Sequence, residues 1–292
     1  MRVDWKGVIP AVTTPFREDL QVDHGFMAAH VRWLVDHGCA GIVPLGSLGE
    51  AATLSGPEKR KVLETCVAAV GDRVPVIPGI SALGTGEAVD LARDAKSIGC
   101  RGLMVLPPYV YSTDWREMKA HVSTVIGATN LTCMLYNNPP AYKTDFLAPQ
   151  IAELAAQHRN LQAVKESSGD ARRVTAVKAL CGDRLAVFAG LDDMVLEGVR
   201  AGAVGWIAGL VNAMPRETVA LFSQKSDALY RWFLPLLRMD VLPKFVQYIK
   251  LVQQEVDKGH ERVRPPRLVL AGAEREAALE TIRAALRERP KS

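Results

Sequence analysis

The chain lacks what several classes of protein need. It has no Cys-x-x-Cys pair, and its five cysteines (Cys39, Cys66, Cys100, Cys133, Cys181) are an odd number scattered through apolar or helical contexts. A disulfide framework is therefore not expected, whereas buried free thiols in a reducing compartment are. No stretch of ~18 uncharged apolar residues occurs, so no membrane-spanning helix is expected. The first residues, Met1-Arg2-Val3-Asp4-Trp5-Lys6-Gly7, carry no apolar h-region, which points to a cytoplasmic location. No run of five like charges appears, and 36 Lys+Arg against 32 Asp+Glu leave a net charge of only +4. Without a concentrated basic excess or a basic stripe with interleaved aromatics, nucleic acid is not an expected partner. No His-Glu-x-x-His or other ligand spacing is present, and the six histidines fall on helices or loops, so a metal hydrolase is disfavoured and no cofactor is called for.

What is there is an ordinary globular composition, 48% hydrophobic and 23% charged over 292 residues. That length fits two average domains, or one α/β barrel of ~250 residues with an extension. The pattern decides between them. Eight short, almost continuously apolar runs lie at 8–12, 41–45, 74–80, 102–106, 132–136, 161–165, 185–189 and 203–208. Each reads as a parallel strand covered on both faces.

Amphipathic stretches with readable ends separate these runs. Asp23 can cap a helix that stops at Gly38. Ser55-Gly56-Pro57-Glu58 has capping-box spacing. Thr85 can cap a helix through Ala88, Leu91, Ala92 and Ala95 that ends at Gly99. Strand and helix alternate as βαβ units, and eight such units close into a (β/α)8 TIM barrel. A doubly wound open sheet is the runner-up, but Thr13-Thr14-Pro15-Phe16 after the first strand holds no phosphate-binding glycine. From Pro215 the pattern is helical only, with helices expected at 219–233, 236–256 and 274–289. The organisation expected is thus a barrel over 1–212 and a helical extension over 213–292 packed on it.

In such a barrel the chemistry lies at the C-terminal ends of the strands. Polar residues there that a core would not want are the candidates. Lys165 ends the run Leu161-Gln162-Ala163-Val164-Lys165, and strand alternation puts it on the face of Ala163, opposite Val164. If Val164 packs against the helices, Lys165 enters the barrel mouth, where burial disfavours the ammonium and frees a nucleophilic amine. Taken alone, it is equally a lysine snorkelling to solvent or paired with Glu166. Tyr136 ends the preceding run with the inward parity of Met134, and a phenol beside a lysine can relay protons. Gly46-Ser47-Leu48-Gly49-Glu50 follows the second run, with glycines that bring backbone N–H groups close to an anion. It is neither a P-loop nor a Gly-x-Ser-x-Gly elbow, and by itself it is also a plain strand-to-helix turn.

Together these motifs carry a resemblance. Gly-Ser-x-Gly-Glu after strand two, Tyr-Asn-x-Pro from Tyr136 and Val-Lys-Glu-Ser from Val164 resemble the dihydrodipicolinate synthase / N-acetylneuraminate lyase family, and the likeness covers nearly the whole chain. The resemblance implies a (β/α)8 barrel with a helical extension, and a lysine Schiff base to a 2-keto acid. It implies Lys165 as the Schiff-base lysine and Tyr136 as the proton-transfer phenol. Ser47 would hold the substrate carboxylate and orient Tyr136. Gly46, Leu48, Tyr109, Ala141, Gly190, Ile207 and Gly209 would line the substrate. Asp192 would either bind a substrate hydroxyl or cap the helix that follows. A homotetramer built as a dimer of dimers is also implied, with a tyrosine crossing the dimer contact.

Departures from the family pattern bear on the substrate. Ala141 stands where synthases of the family carry an arginine for a second carboxylate, Leu48 replaces a threonine, and Val110 replaces the second tyrosine, with Tyr111 a potential substitute. The stretches 136–143, 165–170, 189–193, 246–250 and 264–268 are similar to the 1-pyrroline-4-hydroxy-2-carboxylate deaminase branch, which acts in hydroxyproline breakdown. A deaminase releasing ammonia and 2-oxoglutarate semialdehyde from that cyclic imino acid is the expected activity. The alternatives are a 2-keto-3-deoxy sugar-acid dehydratase or pyruvate-dependent aldolase, 4-hydroxy-tetrahydrodipicolinate synthase, and a non-catalytic keto-acid-binding protein.

Overall fold

Among the described residues, short runs of Val, Ile and Leu bounded by Gly and Pro form seven parallel strands. The structure, a computed structural model, describes residues 3–108, 110 and 114–290. The strands are β1 (Gly7–Pro10), β2 (Gly79–Ile80), β3 (Gly102–Val105), β4 (Thr132–Asn137), β5 (Leu161–Glu166), β6 (Ala186–Ala189) and β7 (Gly205–Ala208). They lie in the order β1-β7-β6-β5-β4-β3-β2.

The expected run 41–45 makes no regular strand. Only Ile42 and Val43 pair, in parallel bridges to Val76 and Ala11. Pro44 has no N–H to donate and Leu45 turns to φ 61°, so the ladder stops after two residues. Those two residues still join the edges of the sheet. Val43 donates to the carbonyl of Pro10 at 2.9 Å, and the amides of Ile77 and Gly79 donate to Ile42 and Pro44 at 2.8 Å. The sheet therefore curls until β1 and β2 meet through residues 42–44.

Helices cover the outside of this ring, except for one turn, Pro139–Tyr142, that lies at its mouth. They are α1 (His24–Asp36), α2 (Gly56–Val70), α3 (Thr85–Ile98), α4 (Trp115–Gly127), the single turn α5 (Pro139–Tyr142), α6 (Ala148–Gln157), α7 (Arg172–Cys181) and α8 (Val195–Arg200). Asp23 caps α1 by accepting from the amide of Phe26 at 2.9 Å, and Ser55 and Glu58 form the capping box of α2. Thr85 does not cap α3. Gly84 holds the cap position, and the Thr85 hydroxyl lies 2.9 Å from Nδ1 of His121 on α4.

The C-terminal helices are α9 (Pro215–Gln224), α10 (Asp227–Leu237), α11 (Phe245–Glu255) and α12 (Gly272–Arg287). The break expected at Pro235 falls earlier. Lys225 turns to φ 54°, and Ser226 caps α10 by accepting from Leu229, while Pro235 sits inside α10. Phe233, Leu236 and Ile249 join the same hydrophobic core as the ring. A 3-10 turn, Arg238–Val241, leads from α10 over the mouth of the ring. The extension is latched there by a buried ion pair. Lys250 on α11 donates to Glu50 of the glycine loop at 2.5 Å, and the amide of Arg264 donates to the other Glu50 oxygen at 3.1 Å.

Candidate active site

The period-2 alternation of β5 turns Lys165 inward, and the structure buries it to 6% exposure. In the sheet register it stands between Tyr136 on β4 and Phe188 on β6. Its Nζ lies 4.0 Å from the centroid of the Tyr136 ring. It does not pair with Glu166. That carboxylate turns to the other side, where it accepts from the amide of Ser168 at 2.7 Å and from Asn137 at 3.0 Å. Burial lowers the Lys165 amine to about 8, and the charges of Asp240 and Asp192 pull against that shift. Gly190 makes room for the lysine stem: a Cβ there would stand 2.9 Å from both Cγ and Cε of Lys165.

Tyr136 is also buried, and its phenol oxygen accepts from the Asn138 amide at 2.8 Å. Asn138 is placed for this because its own oxygen caps α5, accepting from the amide of Ala141 at 3.2 Å. Burial pushes the phenol up to about 12, against the pull of the Asn138 hydrogen bond. A phenol held neutral in this way can donate a proton or return one to a carbon beside the lysine.

Ser47 corrects one expectation. Its hydroxyl bonds the phenol of Tyr142 rather than that of Tyr136. Tyr142 packs edge-on against Tyr136, with ring centroids 5.6 Å apart. Any influence of Ser47 on Tyr136 thus passes through Tyr142, the last residue of α5. The sequence reading missed Tyr142, whose position depends on the one-turn helix opened by Pro139-Pro140.

These groups open on a cavity of about 550 Å³ at the C-terminal ends of the strands. Gly46, Ser47, Leu48, Tyr136, Ala141, Lys165, Gly190, Ile207 and Gly209 all line it. Tyr109 and Tyr111 lie outside the described residues. Val110 is half exposed and is not part of the wall.

Asp192 is a second correction. It neither lines the cavity nor caps α8. Its oxygens are filled from behind the wall by Trp206 Nε1 at 2.8 Å, by the Gly209 amide at 3.1 Å and by the Leu210 amide at 2.7 Å. It therefore clamps the turn after β7. Burial raises its carboxyl, and these donors act in the opposite direction.

Two charged side chains from the extension complete the wall, Asp240 and Arg267. Asp240 comes from the 3-10 turn, and no local pattern in the sequence marks it. Arg267 belongs to the segment 264–268, and its guanidinium also lies 3.9 Å from Glu50. A second cleft, of about 640 Å³, lies among Trp5, Arg159, Gln162 and Arg184, at the opposite ends of the strands. Arg184 is already committed there, donating to the carbonyls of Leu161 at 2.7 Å and Ala155 at 2.8 Å. Among the described residues no cluster of three or more metal-ligating side chains occurs, and no helix is long and apolar enough to cross a membrane.

Comparison with known proteins agrees with this geometry. Residues 4–285 match the model of the dihydrodipicolinate synthetase family. The 4-hydroxy-tetrahydrodipicolinate synthase of Agrobacterium fabrum is 33% identical over 283 residues, covering 94% of this chain and 96% of that protein. The enzyme of the same name from Rhizobium meliloti is 35% identical over 212 residues, 73% of this chain and 72% of that protein. Among solved structures, dihydrodipicolinate synthase from Bacillus anthracis superposes with a TM-score of 0.91 at 26% identity, covering 99% of this chain and 100% of that one. A putative dihydrodipicolinate synthetase from Pseudomonas aeruginosa superposes with a TM-score of 0.88 at 30% identity, covering 96% of this chain and 99% of that one.

Proposed function

The chain belongs to the dihydrodipicolinate synthetase family of lysine Schiff-base lyases, and within it we propose that Lys165 forms the imine with a 2-keto acid or a cyclic 2-imino acid. The observation that carries this is the position of the Lys165 amine, buried at the strand ends with a phenol on one side and the cavity on the other. The frame of the proposal is a (β/α)8 barrel over 1–212 with its extension over 213–292.

The chemistry follows from the geometry. The free amine attacks C2, and water (or, for a cyclic imine, the ring nitrogen) leaves as the iminium forms. Tyr136 gives its phenol proton to the group that leaves C2 and, as phenolate, then removes the C3 proton that the electron-drawing iminium makes acidic. Ser47 and the backbone N–H groups of the glycine loop hold the substrate carboxylate. The resulting enamine either adds to an aldehyde or expels a substituent on C4.

For the overall reaction, the first reading is that of the relatives, 4-hydroxy-tetrahydrodipicolinate synthesis. It is supported by Arg267, which brings a cation into the cavity although Ala141 does not. The sequence argued against this reading from the missing arginine, because Arg267 reaches the site only through the docked extension. The second reading, 1-pyrroline-4-hydroxy-2-carboxylate deamination, is favoured by the apolar wall at Leu48 and Ala141.

Borohydride trapping with pyruvate, followed by peptide mass spectrometry, tests the common step. The adduct is expected on Lys165, and an adduct on another lysine refutes the assignment. Turnover of pyruvate plus aspartate semialdehyde, set against ammonia release from 1-pyrroline-4-hydroxy-2-carboxylate, separates the two readings. The homotetramer that the family implies is proposed on the same footing, and light scattering on the eluting protein checks it.

A further inference from the structure

Two carboxyl groups stand near Lys165, Asp192 fully buried and Asp240 partly exposed, and their surroundings divide them. Asp192 has its oxygens filled by an indole N–H and two backbone amides. Asp240 lines the cavity, and among the described residues no donor bonds its carboxyl. The space it occupies is left open by Gly209, where a Cβ would stand 1.9 Å from Asp240 Oδ1. A carboxyl placed over the end of β7, with no hydrogen-bond donor among the described residues and lining the same cavity as a reactive lysine, is placed for substrate.

We propose that Asp240 is a catalytic acid that exchanges a proton with the oxygen on carbon 4 of the substrate, which makes the site one for 2-keto or 2-imino acids that carry, or acquire, oxygen at that carbon. The inference rests on the Schiff-base reading of Lys165. Burial and the neighbouring Asp192 charge raise the Asp240 carboxyl well above the usual carboxylate range, with Lys165 opposing, which is the direction a proton donor needs. Tyr136 is on the lysine side and is occupied with C3. Asp240 arrives from another element, the turn after α10, and serves the other end of the substrate.

The step balances in both directions of chemistry. In addition, the enamine C3 pair forms a bond to the aldehyde carbon, the C=O π pair moves to oxygen, and that oxygen takes the Asp240 proton. In expulsion, the enamine nitrogen pair restores the iminium, C3=C4 forms, and the C4–O bond breaks with its pair on oxygen. That oxygen takes the Asp240 proton and leaves as water. Solvent reprotonates Asp240 through the cavity mouth.

The test separates this role from Schiff-base formation. In Asp240→Asn, borohydride trapping of pyruvate on Lys165 and deuterium exchange of the pyruvate methyl group, followed by proton NMR, are expected to stay within about threefold of wild type, whereas turnover of the substrate oxygenated at C4 falls about 100-fold or more. Gly209→Ala, which pushes the carboxyl out of its place without removing it, is expected to show the same split. Near-wild-type turnover in Asp240→Asn overturns the proposal. So does a fall in methyl exchange that parallels the fall in turnover, because Asp240 would then act through Lys165 or the fold. If the wild-type protein gives no adduct on Lys165, the Schiff-base reading fails first, and the role of Asp240 with it.

Discussion

Replacing Lys250 with methionine should weaken the latch between the extension and the glycine loop. Glu50 is fully buried, and its Oε1 accepts from Lys250 at 2.5 Å. In Lys250→Met the carboxylate keeps one backbone donor, the Arg264 amide at 3.1 Å, and a guanidinium at 3.9 Å from Arg267. Breaking a buried pair by removing one partner costs about 3–5 kcal/mol. The remaining donors place this case at the low end, about 3 kcal/mol. For a chain of this size that lowers Tm by roughly 6 °C or more, at about 2–4 °C per kcal/mol.

Differential scanning calorimetry of the wild type, Lys250→Met and the double variant Glu50→Gln/Lys250→Met measures it. The double variant is expected to recover more than half of the loss, since a neutral amide is cheaper to bury than a lone carboxylate. Because Glu50 ends the loop that carries Ser47, KM for the 2-keto acid is expected to rise in Lys250→Met while trapping stays on Lys165. A loss below about 1 kcal/mol, or a double variant less stable than the single one, would show that the pair does not hold the extension down.

Other consequences are open to direct measurement. The Lys165 amine attacks only when unprotonated and titrates near 8, below the ordinary lysine value of 10.5. The rate of adduct formation should therefore fall about tenfold per unit as pH drops below about 8 and level off above it; a flat profile refutes the assignment. Gly190→Ala puts a methyl group against the lysine stem and is expected to slow adduct formation by about 100-fold, as small misplacements of a nucleophile do; unchanged trapping would contradict the packing. Tyr136→Phe should keep the adduct but slow C3 deuterium exchange by about 100-fold or more, with a smaller effect for Tyr142→Phe; equal exchange rates in all three proteins would remove both phenols from the relay.

His30, buried and 3.3 Å from the Asn212 side-chain oxygen, is lowered to about 4 by burial. The unfolded chain takes up this proton first, near 6.5, so stability is lost as pH falls from there toward about 4, by up to about 3 kcal/mol. Urea melts across that range should show wild type losing more stability than His30→Gln. Parallel losses would mean that His30 contributes nothing to the acid limb.

Local patterns made much of the ring legible. Seven of the eight apolar runs contain the regular strands, because short, wholly apolar segments between Gly and Pro have few other uses. The run at 41–45 is reduced to bridges by Pro44 and the left-handed turn at Leu45, both visible in the sequence but not weighed against its apolar character. The helix break at Lys225–Ser226 was hidden behind Pro235, which α10 tolerates near its end.

The sequence by itself determined the alternation of strand and helix and the parity that Lys165 and Tyr136 share with their strand neighbours, which follow from repeats of two and about four residues, and the glycine loop, which follows from its own composition. Only the tertiary structure decided what meets these groups. Tyr142 stands between Ser47 and Tyr136, Asp192 turns away to clamp the β7 turn, and Asp240 and Arg267 enter from the extension. Those placements depend on how distant segments dock, through the Glu50–Lys250 pair and the shared core, and no local periodicity encodes a contact across 200 residues of chain.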